Sequence, residues 1–390
     1  MTASVGVAGR WAWADIDLDA IAHNVGVLRD AVAPAGVWAV VKADGYGHGA
    51  VAVAGAALAA GAGGLCVALA AEGVALRAAG IDAPILVLSQ QPDDALGEML
   101  AHRLTPTVYT HDHLAAIAER CRRDGGSCSV HLKVDTGMQR VGAPPSDAVA
   151  LARLAAGSPG VRLEAVFTHL ACADEPSHPA TAEQLDRFDA MLAELDAAGL
   201  APPVVHAANS AGALAHPDAH RSFVRAGIAL YGISPGPGVA HQAATLRPAM
   251  SLRARVSHVK RVAAGSHVSY GWRHRFERDT TVVTLPIGYA DGVPRRLGTL
   301  PDRRGGDVLI GGRRCPTVGV ITMDQLMVDV GSVVDAGGQV AVGDEAVLIG
   351  AQGDQRISAD EWADRLGTIA YEIVCSIGGR VPRRVLGGDS

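Results

Sequence analysis

The sequence predicts an α/β protein in two parts, a (β/α)8 barrel of the TIM type followed by a mainly β C-terminal domain. Three observations support this prediction. The chain has 390 residues, which is long for a single compact core. Short β-branched runs alternate with helical stretches up to about Gly232, and the pattern beyond is mainly β. A proline- and glycine-rich segment, Ser234–Gly238, separates the two patterns, so we expect domains at 14–238 and 239–386.

The barrel prediction depends on eight runs rich in β-branched residues. The predicted strands are Trp38–Val41, Leu65–Leu69, Ile85–Leu88, Thr105–Tyr109, Ser129–Val134, Leu163–Thr168, Val204–Ala207 and Ile228–Tyr231. Between them, apolar residues recur every three or four positions, which is typical of helices, as in Thr110–Cys121, Ala148–Ala156 and Thr181–Ala198. A helix should also precede the first strand, because one stripe is apolar: Ile21, Val25, Leu28 and Val32. Strands alternating with helices pair in parallel, and eight such units can close into a barrel.

The remaining elements follow from similar patterns. Ala50–Ala71 carries no charged residue and is long enough to cross a bilayer, but glycines interrupt it, so we expect a buried helix, a turn and a buried strand. One helix is predicted over Ser358–Leu366 in the second domain, where Ser358 and Glu361 have the spacing of a capping box. Four segments there are predicted as strands separated by glycine-rich turns: Val259–Tyr270, Thr281–Tyr289, Asp307–Val330 and Glu345–Ile349.

Composition excludes several classes of function. Hydrophobic residues make up 49% of the chain and charged residues 19%, which argues against disorder. The net charge is −6 without long runs of either sign, which argues against nucleic-acid and membrane partners and favours a small ligand. Six scattered cysteines form no CxxC pair, so we expect neither a metal site nor a disulfide scaffold. Met1–Arg10 lacks the features of a secretory signal, and we expect a cytoplasmic protein.

The first candidate site is Lys42, at the end of an apolar strand and before a glycine-rich turn. Gly45, Gly47 and Ala50 have the spacing of a dinucleotide fingerprint, but that motif needs an open sheet and an acidic residue about 20 positions further on. The alternative places Lys42 at the carboxyl end of the first barrel strand, where barrel enzymes keep their reactive groups. A lysine in such an apolar place can lose its proton and form a Schiff base.

The second candidate is the segment from His131 to Arg140. On a strand, His131, Lys133 and Asp135 share one face. Ionisable groups inside a barrel are costly unless they are paired. Two interpretations stay open, a polar plug of the barrel with Arg140 in a solvated loop, and a catalytic network.

Further polar residues fall at the ends of the later predicted strands. His169 and His206 are at the ends of the sixth and seventh, and Asn209 and Ser210 precede a helix, where backbone N–H groups and the serine hydroxyl could hold a phosphate. Arg225, Gly227 and Ile228 come at the start of the predicted eighth strand.

These motifs resemble those of alanine racemases, which use pyridoxal phosphate (PLP) and have a barrel followed by a β domain. The resemblance covers about Asp15 to Pro382 and depends on motifs in the same order and spacing: Val41-Lys-Ala-Asp-Gly-Tyr-Gly-His-Gly49, Leu132-Lys-Val-Asp-Thr-Gly-Met138, His206-Ala-Ala-Asn-Ser210, Tyr270, Ile287-Gly-Tyr-Ala-Asp-Gly292 and Met323-Asp-Gln325.

The resemblance implies a role for each site residue. Lys42 would bind PLP covalently and serve as one base, and Tyr270 of a partner subunit would be the other. Arg225, supported by His169, would face the pyridine nitrogen, and Arg140, held by a carbamylated Lys133, would contact the ring hydroxyl. The remaining cofactor contacts would come from Tyr46, Asn209, Ser210, Gly227, Ile228 and Tyr371. Tyr289, Met323 and Asp324 would contact substrate in a homodimer with shared sites, and no metal is implied.

The resemblance also bears on specificity and on competing functions. Val320 stands where the family often has arginine, in the substrate approach, which leaves the substrate range open. A PLP decarboxylase could share this two-domain plan, but such an enzyme would be expected to place a carboxylate, not Arg225, at the ring nitrogen. A PLP-binding regulatory protein would have little need of Tyr270 and Met323 in a second domain.

Overall fold

The computed structural model describes residues 9–388, which form two compact units. The barrel unit comprises Asp19–Gly45 and Ala50–Arg247, and the sheet unit comprises the other described residues, among them Tyr46–Gly49. Along residues 9–388, no helix combines the length and the apolar character needed to cross a bilayer.

The strands are numbered in chain order. One strand of the sheet unit comes first, β1 (Ala12–Asp17). The barrel strands are β2 (Gly36–Val40), β3 (Gly64–Val67), β4 (Ile85–Val87), β5 (Thr105–Val108), β6 (Cys128–Lys133), β7 (Val161–Phe167), β8 (Val204–His206) and β9 (Phe223–Ala226). The remaining strands of the sheet unit are β10 (Met250–Arg255), β11 (His258–Val262), β12 (His267–Val268), β13 (His274–Arg275), β14 (Thr280–Leu285), β15 (Asp307–Ile310), β16 (Arg313–Val318), β17 (Leu326–Asp329), β18 (Glu345–Gln352), β19 (Gln355–Ile357) and β20 (Arg383–Leu386).

The barrel unit confirms the predicted (β/α)8 class. Strands β2 to β8 pair in parallel in sequence order, and β9 pairs with β2, which nearly closes the cylinder. The helices that precede or separate these strands are Leu18–Val32, Ala50–Ala59, Ala70–Ala78, Leu96–Ala101, His111–Asp124, Ala148–Gly157, Ala180–Ala197 and Ser210–Ala215. The apolar stripe predicted on the first helix is buried. Ala50–Ala71 contains a helix, a turn and β3, as predicted.

The eighth barrel strand was placed wrongly by the sequence pattern. It is Phe223–Ala226, and the predicted strand Ile228–Tyr231 is a short 3-10 helix. All four residues of that helix are buried, so their apolar character does not distinguish a strand from a tightly wound turn. Gly232, with φ of 78°, ends the turn in the left-handed region. Gly227 and Ile228 therefore lie beyond the carboxyl end of β9.

The sheet unit is mainly β, as predicted. Its principal sheet has the order β11-β14-β17-β16-β15-β18-β10-β1-β20, with β19 paired to β18. The predicted strand Val259–Tyr270 is broken into β11 and β12 by a turn at Gly265, and Asp307–Val330 contains three strands. The predicted helix is present at Ala359–Leu366, and the Ser358 hydroxyl accepts a hydrogen bond from Glu361 N. Two further helices were not predicted, Gly331–Val334 and Ala370–Ser376.

The unit boundaries differ from the expected 14–238 and 239–386 because of long-range pairing. Strand β1 pairs with β10 and with β20, so the residues before Asp19 belong to the sheet unit. At the other end, the Asn24 side chain donates to the carbonyl oxygens of Leu230 and Arg247 and accepts from Arg247 N. These bonds tie the segment after the eighth barrel strand to the first helix, which extends the barrel unit to Arg247.

Candidate active site

Lys42 lies two residues beyond the end of β2, on the side of the barrel where the strands have their carboxyl ends. The next three residues, Ala43, Asp44 and Gly45, have φ of 52°, 51° and 61°. A left-handed backbone is unfavourable for residues with a Cβ, so other contacts must hold this turn. The dinucleotide interpretation is wrong, because the sheet that leads into the turn closes into a barrel instead of remaining open.

Glu72 holds the turn after Lys42. One of its carboxylate oxygens accepts a hydrogen bond of 2.6 Å from Ala43 N, and the other accepts from Ala68 N and Leu69 N at 2.8 and 3.0 Å. The Asp44 carboxylate also accepts from Ala50 N at 2.9 Å. Hydrogen bonds to an ionised acceptor are stronger than neutral ones, so these contacts offset the unfavourable backbone conformation.

We expect Glu72→Ala to lower the free energy of unfolding by about 2 kcal/mol, because three backbone N–H groups lose a charged acceptor. The matched control is Glu119→Ala, which removes a carboxylate paired with Arg122 on the exposed face of the helix His111–Asp124 and should leave the free energy of unfolding nearly unchanged. Urea unfolding of both variants measures the difference. Equal effects would show that Glu72 does not hold the turn.

Positive groups meet around the carboxyl ends of the barrel strands. Lys133, the last residue of β6, is 6% exposed, and burial lowers its pKa to about 8, with the nearby charges of Arg225 and Arg140 acting in the same direction. Burial lowers the pKa of His169 well below its ordinary value, and the charges of Arg225, Lys133, Arg140 and Lys42 add to this effect. Charges shift the pKa of a neighbouring group only over short separations, so Lys42, Lys133, Arg140, His169 and Arg225 lie near one another.

Arg225 is the most deeply placed of these cations. It is 3% exposed in β9, and its Nη2 donates to the carbonyl oxygens of Thr168 and Ala207 and contacts Nδ1 of His169 at 3.3 Å. Its Nη1 donates to Nδ1 of His206 at 2.7 Å. Burial lowers the pKa of Arg225 to about 10, so the guanidinium remains protonated at neutral pH. Its hydrogen-bond acceptors here are neutral.

The residues of the barrel unit that are predicted to bind phosphate cluster between β8 and the turn after β9. Asn209 caps the helix Ser210–Ala215, because its side chain accepts from Gly212 N at 3.0 Å. The Ser210 hydroxyl accepts from Gly227 N at 2.8 Å and from Ala229 N at 3.3 Å. Asn209 also donates to the Leu170 carbonyl oxygen. Two backbone N–H groups and a hydroxyl are therefore gathered within hydrogen-bonding distance of one another, and groups of these kinds can donate to an anion.

This donor set fits PLP. PLP carries a phosphate and a ring hydroxyl. The charged residues of the barrel unit that act on Lys133 are three cations and one carboxylate: Lys42, Arg140, Arg225 and Asp135. Asp135 accepts hydrogen bonds from Gly137 N and Gln139 N. A surplus of positive charge beside backbone donors is favourable only with an anion, so the site suits an anionic ligand.

The sheet unit holds the other predicted site residues. Tyr46 is buried, and the centre of its ring lies 6.2 Å from that of Tyr371 in the helix Ala370–Ser376. Gly47 has φ of 79°, and a Cβ there would collide with the carbonyl oxygen of Val374. Arg383 donates to the Gly47 carbonyl oxygen at 2.9 Å. The segment after the lysine turn is therefore packed tightly against this helix.

The predicted substrate residues lie in neighbouring loops of the sheet unit. Tyr289 N donates to the carbonyl oxygen of Thr322 and Ala290 N to that of Met323, which joins two of these loops. The third loop carries Tyr270 and is joined to them through a hydrogen bond from the Ser269 hydroxyl to the Val320 carbonyl oxygen. Large side chains on these loops are exposed to solvent: Tyr270 and Trp272 at 72%, Met323 at 52% and Tyr289 at 42%.

Sequence reasoning missed several residues that organise these sites. Glu72 holds the lysine turn, and Arg380 holds Asp324 through a 2.7 Å ion pair while also contacting the buried Asp291. Glu164 approaches His131 inside the barrel unit. None was found from a local motif, because each also contacts a group far away in the sequence. Of the predicted residues in the barrel unit, Lys42, Arg140, His169 and Arg225 lie around Lys133, and Asn209, Ser210, Gly227 and Ile228 form a second cluster. Those of the sheet unit form the tyrosine pair and the exposed loops.

Comparison with known proteins gives consistent results. The family described as alanine racemase, N-terminal domain, matches residues 16–235, and alanine racemase, C-terminal domain, matches residues 249–385. An alanine racemase of Symbiobacterium thermophilum is 48% identical over 98% of both chains. The crystal structure of the alanine racemase from Streptomyces lavendulae is 41% identical, covers 97% of this chain and 98% of its own, and superposes with a TM-score of 0.90. A histidine racemase of Leuconostoc mesenteroides is 28% identical with a TM-score of 0.88 over 97% of this chain and 99% of its own.

Proposed function

This chain belongs to the alanine racemase family, and we therefore propose that it interconverts L- and D-alanine. In this proposal PLP is bound at Lys42, and Lys42 and Tyr270 are the two acid–base groups. The observation that carries the proposal is the convergence of cations and backbone donors beyond the barrel strands, in a chain that matches its racemase relatives over nearly its full length.

The two bases follow from the reaction. Racemisation removes the proton of the α carbon from one face and returns a proton to the other, so one acid–base group is needed on each side. When bound, PLP draws electrons away from the α carbon and makes its proton easier to remove. Lys42 would hold the cofactor and move the proton on one face, and the phenol of Tyr270 would move it on the other.

Arg225 is proposed to face the pyridine nitrogen. Its guanidinium stays protonated at neutral pH and cannot pass a proton to the ring, so the ring nitrogen would accept a hydrogen bond without becoming charged. Held in this way by Arg225, the ring would withdraw electrons less strongly, which would favour return of the proton to the α carbon. His169 would orient the guanidinium through the contact between its Nδ1 and Nη2 of Arg225.

We propose that the residues already described make the remaining contacts with the cofactor. Ser210, Gly227, Ile228, Tyr46 and Tyr371 would hold the phosphate, and the helix cap at Asn209 would fix the position of Ser210. Arg140 would contact the ring hydroxyl and the substrate carboxylate. Tyr289, Met323 and Asp324 would shape the approach of the substrate.

Lys133 is proposed to carry a carbamate, formed when its neutral amine adds to carbon dioxide and releases one proton. A carbamate accepts hydrogen bonds from Arg140, whereas an ammonium repels it. Because burial lowers the Lys133 pKa to about 8, the reactive neutral amine becomes more abundant as pH rises through 8.

We expect Lys133→Ala to lose about 90% or more of the activity and to recover part of it with acetate, since a small carboxylate can replace the carbamate beside Arg140. Carbon-13 NMR of the native protein supplied with labelled carbon dioxide should show one carbamate signal. An unmodified amine, with activity unchanged in Lys133→Ala, would contradict the assignment.

A homodimer with shared active sites is part of the proposal. Tyr270 is 72% exposed, and Met323 and Tyr289 are exposed beside it, so these side chains are available to a second copy of the chain. Exposed aromatic and methionine side chains are common at the centres of protein interfaces. We also propose a cytoplasmic location, which the six cysteines support because each is a free thiol.

The proposed function is tested with L-alanine in deuterated water and PLP-loaded protein. Optical rotation and exchange of the α proton should change together, because each turnover brings in a solvent proton. Release of carbon dioxide would indicate a decarboxylase, and PLP binding without any turnover would indicate a binding protein. A panel with serine and other small amino acids then measures the substrate range beside Val320.

A further inference from the structure

A chain of polar side chains crosses the interior of the barrel below Arg225. Nη1 of Arg225 is 2.7 Å from Nδ1 of His206, and Nε2 of His206 is 3.1 Å from Nδ1 of His131. Nε2 of His131 lies 3.8 Å from a carboxylate oxygen of Glu164. Both histidines are 2% exposed or less, so the chain leads through the core from the candidate active site towards the opposite end of the strands.

Chemistry fixes the direction of both hydrogen bonds in this chain, and the contact between His131 and Glu164 is an electrostatic one at 3.8 Å. Arginine has only donors, so Nδ1 of His206 must be an acceptor and its proton must lie on Nε2. That proton is donated to Nδ1 of His131, whose own proton then lies on Nε2 and points towards Glu164. Burial lowers the pKa of both histidines, which keeps them neutral and preserves this order.

Glu164 ends the chain with a negative charge. It is the central residue of β7, beside a shift in register between Val130 and His131 of the neighbouring strand. Register shifts of this kind redirect a side chain and are common near functional sites. Its side chain is 32% exposed, and the contact with His131 lowers the pKa of Glu164 to about 2, so it remains ionised over the working range.

Packing alone does not explain why the interior of the barrel contains the imidazoles of His131 and His206. The His206 ring is stacked between Phe167 and Phe223, with ring centres 4.5 and 4.3 Å apart. Apolar side chains of similar size would fill the same space without burying polar atoms. Hydrogen bonds in series polarise one another, and a charge at one end strengthens the whole chain.

We propose that Glu164 is a positioning residue for the reaction, acting on Arg225 through His131 and His206. The carboxylate anchors a one-way chain of N–H donors, and this chain fixes the plane of the guanidinium that faces the cofactor. The inference rests on the proposed function for its catalytic consequence, whereas the direction of the chain is a property of the protein alone.

The first test uses the protein without cofactor. Nitrogen-15 NMR of histidine-labelled protein at neutral pH should show both His131 and His206 as neutral rings protonated on Nε2, with signals assigned from His131→Gln and His206→Gln. A proton on Nδ1 of either ring, or a doubly protonated ring, would overturn the proposal. This result does not depend on whether the protein racemises alanine.

The second test compares Glu164→Gln with Arg162→Gln in the PLP-loaded enzyme. Glutamine has nearly the same shape as glutamate and still presents an oxygen towards His131, so the change removes mainly the charge. We expect kcat to fall about tenfold and KM to stay within about twofold of its native value. The visible absorption band of the bound cofactor should shift as well. Arg162→Gln removes the other ionic partner of Glu164, whose contact is 3.2 Å, and should leave all three unchanged.

A purely structural role would give a different outcome. Glu164→Gln would then unfold at a lower temperature but keep the native kcat and absorption band, and this would overturn the proposal. Failure of the native protein to racemise alanine would refute the proposed function instead, while the NMR result would still decide the direction of the chain.

Discussion

Lys42→Ala is expected to abolish racemisation of alanine, with a loss of at least about 1,000-fold, because the same amine holds the cofactor and moves one of the two protons. The visible absorption of the bound cofactor should disappear as well. Both effects come from the position of Lys42 beyond the end of β2, where the turn held by Glu72 fixes it near Arg225 and Lys133.

Lys260→Ala is the matched control. Lys260 is an exposed residue of β11 in the sheet unit, and with Lys42 and Lys133 it completes the three lysines of the chain. Its replacement should leave absorption and rate unchanged. Retention of more than about 10% of the native rate in Lys42→Ala would contradict the assignment of Lys42 as a base.

Mixing two inactive variants should restore activity if Tyr270 acts across a dimer interface. Lys42→Ala and Tyr270→Ala each lose one acid–base group. When they are unfolded and refolded together, about half of the dimers are mixed, and each mixed dimer has one site with both native groups. Recovery should therefore approach roughly a quarter of the native rate, because half of the dimers have one of two sites intact.

The control for this experiment is refolding of each variant alone, which should give no recovery. Native mass spectrometry of the mixture verifies that mixed dimers form. If mixed dimers are present but inactive, Tyr270 serves its own chain, and the proposal of shared active sites is refuted.

The parts of the protein that local sequence determines were predicted well. The strand before Lys42, the glycine-rich turn and the helix after it follow one another directly, so propensity and pattern are sufficient. The cap at Ser358 was predicted for the same reason. Ile228–Tyr231 shows the limit of this approach, since a buried apolar run has the same pattern in a strand and in a 3-10 turn.

The contacts that sequence could not predict are distant along the chain. Strand β1, the first strand of the chain as described, pairs with β20 and therefore belongs to the sheet unit. No local pattern indicates this pairing. Glu164 looks like an ordinary solvent-facing residue of a strand, because its partner His131 becomes a neighbour only when β6 and β7 pair. The reactive residues of the candidate site could be predicted from the sequence. The residues that hold them in position, such as Glu72 and Glu164, could not.

The central claim, that Lys42 holds the cofactor, is tested most directly by borohydride reduction of the PLP-loaded protein followed by peptide mass spectrometry. Reduction makes the covalent link permanent and reveals which amine carries it. The adduct should be found on the peptide containing Lys42 and on no other. An adduct on Lys133 or Lys260, with Lys42 unmodified, would contradict the assignment.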